Sequence, residues 1–341
     1  MIPKTYRRVV LAKRPSGEPA VSDFRVETID MPELRANEVL VRVAYMSLDP
    51  YMRGRMRDAA SYAKPVPIDG VMEGGTVGEV VASENPAFKV GDTVEGRLGW
   101  QEYGISTGGS LRPIDTSIAP ISWYNGILGM PGMTAWFGLY EIGQPRPGET
   151  VVVSAASGAV GQLVGQLAKL SGCRVVGIAG GPKKCAYIRD ELGFDVAVDY
   201  KTATFDADLK SACPNGIDVY FDNVGGPVTD AVITKLNFWA RIPLCGTISA
   251  YNVEEPELGP RLLWPMVGGR TRMQGFIVSD FAPKFEPARR LMASLVTSGK
   301  LQYRQDIVSG IDNVPRAFIG LLRGENFGKL QVQLGPDPGK K

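Results

Sequence analysis

The sequence predicts an α/β protein in two parts, a β-rich segment of antiparallel-barrel type and a doubly wound parallel sheet. From residue 6 to about 120, short β-branched runs are separated by turn residues. Beyond Thr150, strand-like and helix-like runs alternate. At the head of that second region stands Ala156-Ser157-Gly158-Ala159-Val160-Gly161, a GxGxxG pattern with alanine at its first position.

In the first region, strands are predicted at 7–12, 24–29, 39–45, 76–81 and 93–96, divided by turns such as Pro15-Ser16-Gly17 and Val90-Gly91-Asp92. The pattern changes near Pro120, and 131–139 reads as an amphipathic helix with proline in its first turn. The run 151–153 is a strand covered on both faces, followed by the glycine turn and a helix whose apolar positions are Val160, Leu163, Val164, Leu167 and Ala168. A second strand spans 174–179, and a helix over 184–192 is closed by Gly193. Strands three to six fall at 196–198, 217–222, 241–245 and 275–278, with helices near 228–236 and over 287–298. The last elements, a strand at 303–308, a helix near 314–322 and a strand at 330–334, fit the doubly wound pattern less well and are read as completing the first domain. No solenoid-type repeat is present.

The glycine turn carries the chemistry. Gly158 lets the backbone approach a pyrophosphate, Gly161 lets the helix pack on the strand, and the helix N-terminus offers unpaired N–H groups, as in a Rossmann nucleotide site. NAD sites usually place a carboxylate at the end of the second strand to hold the ribose 2′-OH. Here that strand ends Ala179-Gly180-Gly181-Pro182-Lys183-Lys184, so NADPH is favoured over NADH; the lesser alternative for the lysines is a solvated helix start.

Composition narrows the chemistry further. A net charge of +2 gives no reason to expect a nucleic-acid or membrane-surface partner. The start, MIPKTYRRVVLAKR, has an apolar run far too short for a signal h-region, and no stretch could span a bilayer, so a soluble cytoplasmic protein is expected. The four cysteines, Cys173, Cys185, Cys213 and Cys245, lack zinc-site spacing and are expected to be buried or incidental thiols. The chain has no histidine, which excludes Ser-His-Asp and Cys-His catalysis, a histidine acid and any histidine-ligated metal.

Several runs together resemble one family. They include 47–56 (SLDPYMRGRM), 129–135 (GMPGMTA), 155–161 (AASGAVG), 192–196 (LGFDV), 222–226 (DNVGG), 245–252 (CGTISAYN), 274–276 (QGF) and 326–329 (NFGK). They cover nearly the whole chain in order, and the sequence is similar to the zinc-independent medium-chain dehydrogenase/reductases of the prostaglandin reductase and alkenal double-bond reductase group, especially the bacterial curcumin reductases. Where zinc-dependent relatives carry Gly-His-Glu, this chain reads Val71-Met72-Glu73-Gly74-Gly75.

The resemblance implies a GroES-like β-barrel catalytic domain over 1–128, completed by 304–341, and a Rossmann NADPH domain over 129–303, with the cofactor over the carboxyl ends of the strands. It implies that Lys184 and Tyr200 hold the 2′-phosphate, with Gly180 beside them. Thr134, Gly158, Ala159 and Val160 would line the diphosphate and nicotinamide approach. Asn223, Cys245, Ser249, Phe276, Val278 and Asn326 would surround the rest of the cofactor. Tyr251 would contact the nicotinamide ribose and the reacting carbonyl, and Tyr62 would be either a second catalytic candidate that touches substrate or an ordinary surface aromatic. Tyr51 and Met52 would shape an apolar substrate wall or sit in the core, and Asp49 with Arg53 would form a structural pair.

The implied activity is reduction of the C=C bond of an enone or enal by NADPH without metal, in a homodimer. An NADPH quinone reductase and a crystallin-like NADPH-binding protein without turnover remain alternatives on the same fold.

Overall fold

The computed structural model describes residues 2–255 and 257–339. The chain divides into two compact units, one formed by the stretch up to Gly126 together with that from Gln305 onward, the other by Ile127–Arg304.

The first unit opens with β1 (Thr5–Leu11) and β2 (Phe24–Asp30), paired antiparallel. It continues through β3 (Val39–Ser47), β4 (Thr76–Ser83), β5 (Thr93–Gly96), β6 (Tyr103–Ser106) and β7 (Arg112–Pro113). In the second unit follow β8 (Thr150–Val153), β9 (Arg174–Ala179), β10 (Val196–Asp199), β11 (Ile217–Phe221), β12 (Leu236–Leu244) and β13 (Arg272–Gly275). The chain then returns to the first unit with β14 (Gln305–Ser309) and β15 (Lys329–Gln333).

The larger sheet of the first unit runs β14-β15-β3-β4-β5-β7, with β6 on β3. Long β3 can serve several partners because its ends take different neighbours: Val39–Arg42 pair with β6 and Tyr45–Ser47 with β15. Single bridges, Arg8 to Gln101 and Val10 to Val71, tie the β1–β2 ribbon to the segments that precede β6 and β4. The core gathers around Trp100, stacked on Phe24 at 5.5 Å and edge-on to Phe318 at 5.2 Å.

All pairings in the second unit's sheet are parallel, in the order β10-β9-β8-β11-β12-β13. The strand order reverses between β8 and β11, the position at which doubly wound sheets leave a crevice at the strands' carboxyl ends. Helix Gly161–Leu170 packs tightly enough to exclude side chains at two of its glycines. A Cβ on Gly161 would fall 2.3 Å from the Ala155 carbonyl oxygen, and one on Gly165 would fall 1.8 Å from the Phe194 ring.

Several expected elements differ in the structure. The sixth strand is Arg272–Gly275 rather than 275–278, and residues from Val278 form a 3₁₀ turn. The polar, exposed strand shows no apolar run, yet it pairs in register with Arg241–Leu244. The fifth strand begins at Leu236, inside the stretch expected to be helical, because the preceding helix ends at Ile233. The helix expected over 184–192 is a short α segment, Pro182–Ala186, followed by a π turn, Tyr187–Glu191. The helices Phe205–Ala212 and Leu263–Gly269 were not foreseen.

Candidate active site

The candidate site is built where β8, β9, β11 and β12 end. After β8 the chain turns sharply, with Ala155 in the left-handed region at φ 48°. Gly158 N–H closes the turn on the Ala155 carbonyl at 2.9 Å. Gly158, Ala159 and Val160 are half-buried at the head of the following helix, Gly161–Leu170. The close approach expected of Gly161 is present, and the segment fits a diphosphate seat.

Asp222, fully buried just past β11, organises the neighbouring loops. One carboxylate oxygen accepts from Tyr220 Oη at 2.9 Å, Ser154 Oγ at 3.2 Å, and the N–H groups of Val224 and Gly225 at 2.9 and 3.0 Å. The other accepts from Thr229 Oγ1 at 2.6 Å. These donors compensate a buried charge that would otherwise be prohibitive. Its main-chain carbonyl accepts from Cys245 N–H at 2.8 Å, so the ends of β11 and β12 are held at the same residue.

Asn223 and the 245–251 loop are fixed by this arrangement. Asn223 donates through Nδ2 to the Ser154 carbonyl and through its main-chain N–H to Ser154 Oγ, both at 2.8 Å. Ser249 Oγ donates to the Val224 carbonyl at 2.7 Å. Tyr251 follows the short turn Ile248–Ala250, with Oη above Gly246, where an added Cβ would lie 3.2 Å away. Burial and the nearby Asp222 carboxylate push the Cys245 thiol up to about 12.

A basic corner closes the end of β9. A Cβ on Gly180 would meet Tyr200 Cε1 at 2.9 Å and Lys201 Cε at 3.0 Å, so only glycine leaves this hollow open. Burial, and next the charge of Lys201, pull the Lys184 ammonium below its usual pKa. The adjacent carboxylate, Asp199, accepts from the N–H groups of Gly181 and Lys201, each at 3.0 Å, and holds the corner's backbone. Two cations and a phenol beside a hollow suit a phosphate monoester.

Other expected cofactor residues are less simply placed. Thr134, on helix Met130–Phe137, donates its hydroxyl to the Met130 carbonyl at 2.7 Å. Phe276 lies just beyond β13, edge-on to Phe221 and Phe281. Val278 opens the following 3₁₀ turn. Asn326 belongs to the first unit, where Nδ2 donates to the Gly328 carbonyl at 2.9 Å.

The substrate candidates Tyr51, Met52 and Tyr62 also belong to the first unit. Met52 is fully buried in the core, Tyr51 packs partly against it, and Tyr62 is 62% exposed. The expected Asp49–Arg53 pair does not form. Asp49 instead meets buried Lys329 at 2.7 Å and accepts from Ser47 Oγ, while Arg53 donates to the Gly17 carbonyl at 2.7 Å. Sequence distance hid this: the true partner comes from β15, 280 residues away.

Sequence reasoning also missed Ser154, Asp222, Lys201 and Arg55. Asp222 and Arg55 stand inside quoted family runs, and Lys201 directly follows Tyr200, so the signals were present without a partner to give them meaning. Among the described residues, no group of three or more Cys, Asp or Glu side chains could hold a metal ion, and no helix is long and apolar enough to cross a membrane.

Residues 7–114 match the family described as N-terminal domain of oxidoreductase, and residues 159–294 the family described as zinc-binding dehydrogenase. The chain is 49% identical over 336 residues to the NADPH-dependent curcumin reductase of Escherichia coli (strain K12), covering 97% of each protein. It is 42% identical over 335 residues to the NADP⁺-dependent 2-alkenal reductase of Nicotiana tabacum, covering 96% of this chain and 97% of that protein. The crystal structure of CurA in complex with NADPH, from Vibrio vulnificus, superposes with a TM-score of 0.94 at 49% identity, covering 97% of this chain and 99% of that one. With similarity of this extent, the chain belongs to the medium-chain dehydrogenase/reductase family, in the group that holds the curcumin, 2-alkenal and prostaglandin reductases.

Proposed function

We propose that this protein is an NADPH-dependent reductase of the C=C bond in α,β-unsaturated ketones and aldehydes. The observation that carries the proposal is the pairing of a glycine turn with the Gly180–Lys184–Tyr200 corner at the ends of one parallel sheet. The second unit is the nucleotide-binding domain, and the first carries the substrate wall. When bound, NADPH supplies hydride to the electron-poor β-carbon.

The chain's own residues do the rest. Gly158, Ala159 and Val160 seat the diphosphate, while Lys184 and Tyr200 hold the 2′-phosphate. Asn223, Cys245, Ser249, Phe276, Val278, Thr134 and Asn326 frame the remaining cofactor. Tyr251 donates a hydrogen bond to the carbonyl oxygen, which gains negative charge as hydride adds. Its neutral phenol is suited to donate without ionising. Water protonates the α-carbon.

A spectrophotometric assay with purified protein tests the activity. NADPH consumption is followed with a conjugated enone, its saturated analogue and a quinone. Turnover of the enone alone is expected; turnover of the quinone alone supports a quinone reductase, and binding without turnover supports a non-catalytic NADPH carrier.

Lys184→Ala is expected to weaken NADPH binding about 10-fold or more, the scale of a lost charge-assisted hydrogen bond, while NADH affinity changes by less than about twofold. Titration of cofactor fluorescence measures both. Equal losses for the two cofactors would remove Lys184 from the 2′-phosphate site.

The protein is further proposed to be a cytoplasmic homodimer. Phe238, Trp239, Leu263, Trp264 and Val267 expose large apolar side chains in the second unit, and the edge strand β13 is exposed at all four residues. Such a patch beside an open strand edge suits a second copy of the chain. Its four free thiols suit a reducing compartment. A monomeric mass by light scattering would contradict the dimer.

A further inference from the structure

Arg55 combines a buried cation with an exposed aromatic partner. Its side chain is 3% exposed, whereas Tyr62 is 62% exposed on an irregular segment. The guanidinium carbon lies 4.3 Å from the Tyr62 ring centroid and 5.6 Å from that of Tyr51. Nη1 donates to the carbonyl of neighbouring Ala63 at 3.2 Å, and Nε stands 3.2 Å from Glu73 Oε2. The Arg55 carbonyl accepts from Val66 N–H at 2.8 Å, so this residue grips the irregular segment at both main chain and side chain.

A guanidinium shielded from water holds an aromatic face more strongly than an exposed one, and its planar shape allows stacking that an ammonium does not reproduce. Glu73 balances its charge, so the cluster presents an aromatic surface rather than a net positive one. With one face of Tyr62 on Arg55 and much of the residue open to solvent, the free face is a flat platform. Such a surface favours stacking with a second planar ring and has little to offer a short aliphatic chain.

We infer that Arg55 is a positioning residue that holds Tyr62 as a stacking platform and thereby selects planar, aryl-conjugated enones over short aliphatic enals. This rests on the proposed contact between Tyr62 and substrate.

Steady-state kinetics with NADPH, one aryl enone and one short alkenal test the inference in wild type, R55K, Y62A and the double variant. R55K is expected to raise KM for the aryl enone about 5- to 10-fold, with kcat within about twofold and the alkenal almost unaffected. In the double variant, R55K should add nothing to the loss caused by Y62A. Multiplicative effects, or an equal fall in kcat on both substrates, would overturn the inference. Should R55K fail to fold, the exposed residue decides: Y62F is expected to retain the aryl preference and Y62A to lose it, and an unchanged preference in Y62A overturns the proposal. A wild type without enone turnover overturns the activity and this inference together, whereas an active wild type with unchanged selectivity in the variants overturns the inference alone.

Discussion

Lys329→Met is expected to lower the unfolding free energy by about 3–5 kcal/mol, the usual consequence of removing one partner from a buried ion pair. Lys329 Nζ contacts Asp49 Oδ1 at 2.7 Å and donates to the Leu48 carbonyl at 2.8 Å, with the two side chains 1% and 7% exposed. Burial pulls the ammonium below its ordinary pKa, and the Asp49 carboxylate pushes back. Methionine fills similar space but leaves Asp49 charged in the interior. Replacing both residues, Lys329→Met with Asp49→Leu, should recover most of the loss, because no charge is then stranded. Urea denaturation of the single and double variants measures this. A single variant within about 1 kcal/mol of wild type would mean that water reaches Asp49.

Tyr251→Phe is expected to reduce kcat for enone reduction about 10²-fold, with NADPH affinity little changed, if its hydroxyl is the donor to the carbonyl oxygen. The substitution keeps the ring and removes only Oη, which lies over Gly246 on a loop already fixed by Ser249 and Cys245. The structural disturbance should therefore be small, and a lost rate reports the missing donor. Steady-state kinetics with fluorescence titration of NADPH separate the two quantities. An unaltered kcat would take Tyr251 out of the mechanism and turn attention to Tyr62.

Much of the fold could be read from sequence because buried parallel strands advertise themselves. Arg174–Ala179 appears at its predicted bounds, and the glycine turn stands where its spacing placed it. Edge elements were harder. Arg272–Gly275 carries Arg, Met, Gln and Gly, a composition that solvent tolerates on a sheet edge and that gives no periodic signal. Long-range polar partners were harder still. Asp49 offered a nearby cation in sequence, Arg53, and only the folded chain brings Lys329 to it. Single site residues such as Tyr251 and Lys184 could be nominated from motifs, but the surrounding hydrogen bonds could not. Residue order does not show that Ser154, Tyr220, Thr229 and two backbone amides converge on one carboxylate.

That convergence constrains how the protein can change. Because Asp222 fastens the loop bearing Asn223 and, through its carbonyl, the stretch leading to Tyr251, the proposed cofactor contact and the proposed donor share a mechanical anchor. Altering either loop would disturb the other. If Tyr51 and Tyr62 meet substrate as proposed, change there leaves that anchor untouched, because neither is among the donors to Asp222.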